Sequence, residues 1–99
     1  MDIKIQSIHF DATDKLEAFV QKKVSKLEKY FDGIMTAEVI LKVIKPETAQ
    51  NKSASVKLII KNGELFAEKI ADTFEEAVGD CSEALEKQLV KYKEKVRTK

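Results

Sequence analysis

The chain has 99 residues, 43% hydrophobic and 35% charged, which sets one soluble folded domain with a core of modest size. Its 18 Lys+Arg against 17 Asp+Glu leave a net charge of +1, so the bulk balance gives no sign of a polyanion partner. No apolar run nears the ~18 residues that span a bilayer. The start, MDIKIQSIHF, lacks the basic-then-apolar order of a signal peptide. One cysteine, Cys81, and one histidine, His9, make neither an internal disulfide nor a metal site. The expectation is a cytoplasmic protein with no membrane partner, no metal, no cofactor and no small-molecule substrate.

Residues 2–9 alternate, with Ile3 and Ile5 opposite Lys4 and Gln6, the period of a half-buried strand. A helix follows, with Asp11 or Thr13 as its cap. Leu16, Phe19, Val20, Val24, Leu27, Tyr30 and Phe31 recur at steps of three and four and form its apolar face. Asp32-Gly33 ends it, with Gly33 suited to a left-handed C-cap. A second strand covers roughly 36–45, with Ala37, Val39, Leu41 and Val43 on one face and Ile40 and Ile44 on the other. The polar stretch 45–53, with the only proline, reads as a mobile loop. Residues 54–61 alternate again, Asn62-Gly63 signals a type I′ hairpin turn, and 64–71 return. Thr73 and Glu76 have the spacing of a capping box that opens the last helix. Phe74, Ala77, Val78, Cys81, Leu85, Leu89 and Tyr92 make its apolar stripe, which extends towards Val96. The order β-α-β-β-β-α implies an α+β two-layer fold, a four-stranded, mostly antiparallel sheet with both helices on one face.

The charges are sorted by position. Residues 64–80 hold six acids against one lysine, and 85–99 hold six bases against two acids. At about 100° per residue, Lys15, Lys22, Lys26 and Lys29 fall within roughly 60° on the first helix. Lys87, Lys91 and Lys95 stand one turn apart on the last. Acidic residues take the opposite flanks: Asp14, Glu17 and Glu28 on the first helix, Glu83, Glu86 and Glu94 on the last. On pattern alone this fits an ordinary solvated face best, with bases late in a helix suiting its dipole; an anion-binding face is the alternative. If the helices lie parallel and adjacent, one basic flank borders its neighbour's acidic flank and is partly neutralised.

Nothing in the chain signals catalysis. His9 lacks an orienting partner, Cys81 lies on the apolar stripe, and Gly33 and Gly63 belong to turns, not to a phosphate loop. Tyr30, Phe66 and Tyr92 carry rings able to stack on bases, but their spacing fits the core or its rim. Ile40, Ile44, Ile59 and Phe66 are placed on the sheet face away from the helices, either covered by neighbours or forming a partner patch.

The segments KLEKYFDGI (26–34), VILKV (39–43), NGELFA (62–67) and ALEKQLVKYKEK (84–95) resemble, in this order, the short ribosome hibernation promoting factors. That family includes the ribosome-associated inhibitor, and its members were once called sigma-54 modulation proteins. The resemblance covers nearly the whole chain. It implies a double-stranded-RNA-binding-domain-like fold with an extra first strand. It also implies binding to ribosomal RNA in the mRNA/tRNA groove of the small ribosomal subunit in stationary phase or stress, with translation inhibited and ribosomes hibernating, silenced or dimerised, with or without a second dimerising factor. The chain reads as one domain, 1–99, without the C-terminal dimerisation domain of long members. The basic positions that match the family are Lys23, Lys26, Lys87 and Lys91, with Lys29, Lys93 and Lys95 weaker; Lys22 rests on the helical wheel alone. Lys23 borders the apolar stripe, so its stem must snorkel to reach RNA. Ala84 stands where many members are basic and Glu86 where others are neutral, which thins the basic face. The alternatives are a general double-stranded-RNA binder and a protein-binding module, including one that modulates sigma-54.

Overall fold

A computed structural model describes residues 1–44, 50–61 and 63–97, with side chains through Lys95. The elements are β1 (Asp2–Ile8), α1 (Asp14–Ser25), a 3₁₀ segment (Lys26–Lys29), β2 (Ile34–Val43), β3 (Lys52–Ile60), β4 (Gly63–Ala71) and α2 (Phe74–Arg97). The strands lie in sequence order, β1-β2-β3-β4. β1 pairs with β2 in parallel, and the two remaining pairs are antiparallel. The right of α1 to cross over follows from that single parallel pair, since parallel strands need a long connection. The expected α+β order and mostly antiparallel sheet are present.

Strand parity decides the layers. Ala37, Val39 and Leu41 of β2, Ala54, Val56, Leu58 and Ile60 of β3, and Ala67 and Ala71 of β4 are buried. They form one cluster with Leu16, Val20, Val24 and Leu27 of the first helical stretch and with Phe74, Ala77, Val78, Cys81, Leu85 and Leu89 of α2. Both helices therefore share one sheet face. The opposite face is laddered with charge: Lys4, Glu38 and Lys57 stand in register across β1, β2 and β3. Lys57 pairs with Glu64 at 3.1 Å. The hydrogen bond to Glu64 and its charge, helped by Glu38, raise the Lys57 pKa. Ile40, Ile44 and Phe66 are exposed on this face and Ile59 is half-buried. Ser55 and Lys57 of β3 stand between Ile40 on one side and Phe66 on the other, so the apolar side chains do not merge into one patch.

Four sequence expectations change. The first helix does not run unbroken to Asp32: it tightens into the 3₁₀ segment after Ser25, a common ending that satisfies late carbonyls with shorter loops. Leu27 stays buried in that segment while Tyr30 leaves the apolar stripe and is 37% exposed. Gly33 has no positive φ. Its lack of a side chain serves packing instead, because a Cβ there would sit 2.7 Å from the ring of Phe31, which is itself packed edge-on to Tyr92 at 5.3 Å. The β3–β4 hairpin forms, but Ile60 pairs with Gly63, so Gly63 belongs to the strand and not to the turn. Lys61 and Gly63 both keep negative φ, so the type I′ geometry expected at Asn62-Gly63 is not adopted; Asn62 itself lies outside the described residues, as do 45–49 of the expected loop and the side chain of Val96. β3 begins at Lys52, so the end of the polar stretch belongs to the sheet.

The caps are those the sequence marks. Thr13 Oγ1 accepts from the Leu16 N–H at 3.1 Å, which selects Thr13 over Asp11. Thr73 Oγ1 accepts from the Glu76 N–H at 3.1 Å. Phe10 and Phe74 stack at 4.5 Å and tie the entry of α1 to the entry of α2.

Cys81 is a core residue whose thiol donates to the Ala54 carbonyl at 3.2 Å. Burial pushes its pKa from 9.0 up to about 11. Between those values the unfolded chain loses the thiol proton and the folded chain keeps it, so stability falls as pH rises. At ~1.4 kcal/mol per unit, the loss reaches about 2 kcal/mol by a pH of about 10.5. Urea melts near pH 8 and near pH 10.5 are expected to show this decline in the natural protein and a smaller one in Cys81→Ala; equal declines would assign it to other groups.

Candidate nucleic-acid interface

The two helices run parallel, because the first follows β1 and the second follows β4, and β1 and β4 point the same way. Their facing flanks meet along a cleft. At its lower end Lys23 and Lys26 face Gly79, Ser82, Glu83 and Glu86 of α2. At its upper end Lys29 and Tyr30 face Val90, Lys93 and Glu94. The expected meeting of a basic with an acidic flank is thus local: Lys23 and Lys26 share a groove with Glu83 and Glu86. Lys23 is half-buried, with its ammonium 5.8 Å from the centre of the Phe19 ring. That is the snorkelling geometry its place beside the apolar stripe requires.

Lys87, Lys91 and Lys95 occupy the other flank of α2. Lys87 shares a groove with Lys69, Asp80, Glu83 and Ala84, so this flank looks towards β4. Gln88 fixes the spacing by donating from Nε2 to the Phe66 carbonyl at 3.0 Å. Lys22, Lys26, Lys29, Lys87, Lys91, Lys93 and Lys95 are all exposed. The eight candidate lysines do not make one continuous row. Lys22, Lys23 and Lys26 belong to α1 and the start of the 3₁₀ segment, Lys29 and Lys93 meet across the cleft, and Lys87, Lys91 and Lys95 line the outer flank. Glu83 lines both grooves beside α2 and stands between the first set and the last.

Lys69 is a basic residue that the sequence reading did not single out. β4 sends Ala67 and Ala71 inward, and Lys69 shares their parity. A lysine on the helix-facing side of a strand is a break in the alternation, and here it lies beside Ala84 and Lys87. It supplies a cation from the sheet beside the uncharged Ala84 of the helix.

Among the described residues no three His, Cys, Asp or Glu side chains gather to hold a metal ion. Among them, too, no helix is long and apolar enough to cross a membrane. Exposed ammonium groups on two helices, with clefts between them, suit an extended polyanion whose backbone is tracked at several points.

Known proteins share both sequence and fold. The ribosome hibernation promoting factor of Azotobacter vinelandii is 30% identical over 95 residues, covering 96% of this chain and 85% of that protein. The Escherichia coli factor of the same name is 31% identical over 97 residues, 98% of each. The ribosome hibernation promotion factor of Lactococcus lactis is 36% identical over 97 residues, 96% of this chain and 51% of that longer protein. Among solved structures, the N-terminal domain of Thermus thermophilus Protein Y superposes with a TM-score of 0.79 at 25% identity, covering 93% of this chain and 99% of that one. A ribosomal subunit interface protein from Coxiella burnetii has the same fold, with a TM-score of 0.83 at 22% identity. Residues 3–97 match the family model described as sigma 54 modulation protein / S30EA ribosomal protein. With the fold, the exposed lysines and these likenesses together, the chain belongs to that family, the family of the ribosome hibernation promoting factors.

Proposed function

We propose that this protein is a ribosome-associated hibernation factor that binds ribosomal RNA of the small subunit in the groove used by mRNA and tRNA, and inhibits translation by occupying it. The observation that carries the reading is the set of exposed lysines on α1, the 3₁₀ segment and α2, joined by Lys69 from β4, on a chain whose relatives bear the name of hibernation factors. The action is steric and electrostatic and involves no catalytic step. Lysine ammonium groups replace condensed counterions at phosphates, and the shape of the groove supplies selectivity that point charges cannot.

Co-sedimentation with small subunits across a salt series tests this. For ~4–6 phosphate contacts at ~0.7–0.9 each, log affinity against log salt is expected to fall with a slope of roughly −3 to −5. Free duplex RNA is the control. Tight, salt-dependent binding to subunits with weak binding to duplex supports the ribosomal reading; equal affinity for both would replace it with general double-stranded-RNA binding.

A further inference from the structure

The upper end of the inter-helix cleft brings an exposed aromatic and an exposed aliphatic side chain together with two lysines. Lys29, Tyr30, Val90, Lys93 and Glu94 line it. Tyr30 is 37% exposed and Val90 42% exposed, both large apolar side chains left open to solvent. Tyr30 stands where three grooves meet, since it also lines those with Lys23 and Lys26 and with Glu28 and Asp32. The two tyrosines have separate roles. Tyr92 packs edge-on to Phe31 within the fold, whereas among the described residues no aromatic ring stacks on Tyr30. Its backbone is pinned, with the N–H donating to the Leu27 carbonyl at 3.0 Å. The backbone beneath the ring is therefore fixed, and the side chain is partly open to solvent.

Lys29 precedes that ring in sequence, and Lys93 faces it from α2. The same three residues, Lys29, Tyr30 and Lys93, line the adjoining groove as well. The cleft holds ≈ 280 Å³, just under the ~300–1,000 Å³ of sites that enclose a drug-sized ligand. A flat ring lined by two cations and the single Glu94 carboxylate keeps a net positive charge, and at this scale it admits one unstacked base with Lys29 and Lys93 available to its phosphates. A base within a duplex presents only its edges and cannot reach it, while a single strand can splay one out.

We infer that this cleft is a subsite for one unpaired base of single-stranded RNA, with the Tyr30 ring as stacking platform, Val90 beside it, and Lys29 and Lys93 holding the flanking phosphates. This deepens the proposed function, since it rests on ribosomal RNA as the partner, and it adds a contact to the base that the lysines alone do not make.

The test uses the full chain with ¹³C-labelled tyrosine, titrated with a short single-stranded RNA and with a duplex of equal charge. The single strand is expected to move the Tyr30 ring resonances upfield and leave those of Tyr92 in place; the duplex is expected to move neither. Tyr30→Leu keeps apolar bulk and removes the ring, and Tyr30→Phe keeps the ring. Loss of one base–aromatic stack predicts an affinity about 5- to 100-fold weaker for Tyr30→Leu and near-natural affinity for Tyr30→Phe. The salt slope should be unchanged in both, because no phosphate contact is removed. No ring shift with single-stranded RNA, or Tyr30→Leu binding as tightly as the natural protein, overturns the subsite, whether or not small subunits bind. If subunits fail to bind but the ring shift appears, the subsite stands and the ribosomal reading falls.

Discussion

Reversing Lys87 and Lys91 together, K87E/K91E, is expected to remove the protein from the small-subunit fraction at physiological salt. The two side chains stand one turn apart on an exposed flank. Removing two phosphate contacts alone lowers the magnitude of the salt slope by about 1.4 to 1.8. Reversal adds repulsion at each contact, and the new carboxylates join Asp80 and Glu83, which already line the Lys87 groove. Lys69 would then be the only cation among that groove's residues. The neutral pair K87Q/K91Q is expected to show the slope change without the repulsion, and so to bind measurably at low salt. Lys42→Glu, on the charge-laddered sheet face, alters only the distant field, which salt screens beyond ~8 Å under physiological conditions, and is expected to sediment with subunits as the natural protein does. Undiminished binding by K87E/K91E would move the RNA contact off the outer flank of α2.

Leu85→Ala is expected to destabilise the fold by about 2–5 kcal/mol, the range for truncating a buried leucine. Leu85 is fully buried midway along α2, between Cys81 and Leu89 at one-turn spacing. The cavity would open within the core between α2 and the sheet, with little freedom to collapse because β3, the strand at the centre of that core, is paired on both sides. Against the total of ~5–15 kcal/mol usual for a domain, that is a large share. Urea unfolding should show a lower midpoint with an unchanged slope. A loss below ~1 kcal/mol would mean that the helix seats loosely on the sheet. Ile40→Ala, on an exposed site of β2, makes the comparison, since it removes similar surface without opening a cavity.

Much of this molecule is written in local pattern. Period-two alternation places Ala37, Val39 and Leu41 inward and Ile40 outward, and the Thr73-to-Glu76 spacing marks the start of α2. The wheel also foretells that one basic flank would meet an acidic one, and Lys23 and Lys26 opposite Glu83 and Glu86 fulfil that. What the pattern does not carry is anything decided by a distant neighbour. Gly33 looks like a left-handed cap because glycine usually is one, yet the reason lies in the Phe31 ring, set by its contact with Tyr92. Tyr30 fits the helical stripe at 3.6 residues per turn and leaves it only because the last turn tightens to 3₁₀. Lys69 escapes notice because it sits in an acidic stretch of sequence, and only the packing of α2 on β4 brings it beside Lys87. Gly63 is drawn into β4 because strand register, set by the buried faces of β3 and β4, outranks its turn preference.

The bond from Gln88 to the Phe66 carbonyl has a consequence for solubility. β4 is the last strand of the sheet, and its outer rim offers unsatisfied backbone groups to any passing extended chain. Gln88 already claims one of them, and Lys69 and Lys87, with Asp80 and Glu83 among them, set charges beside the rim. A second molecule approaching rim to rim would have to displace that amide and desolvate the charged side chains beside it. The side chain that spaces α2 from β4 thus also blunts the open edge of the sheet, which makes Gln88 a guard against self-association.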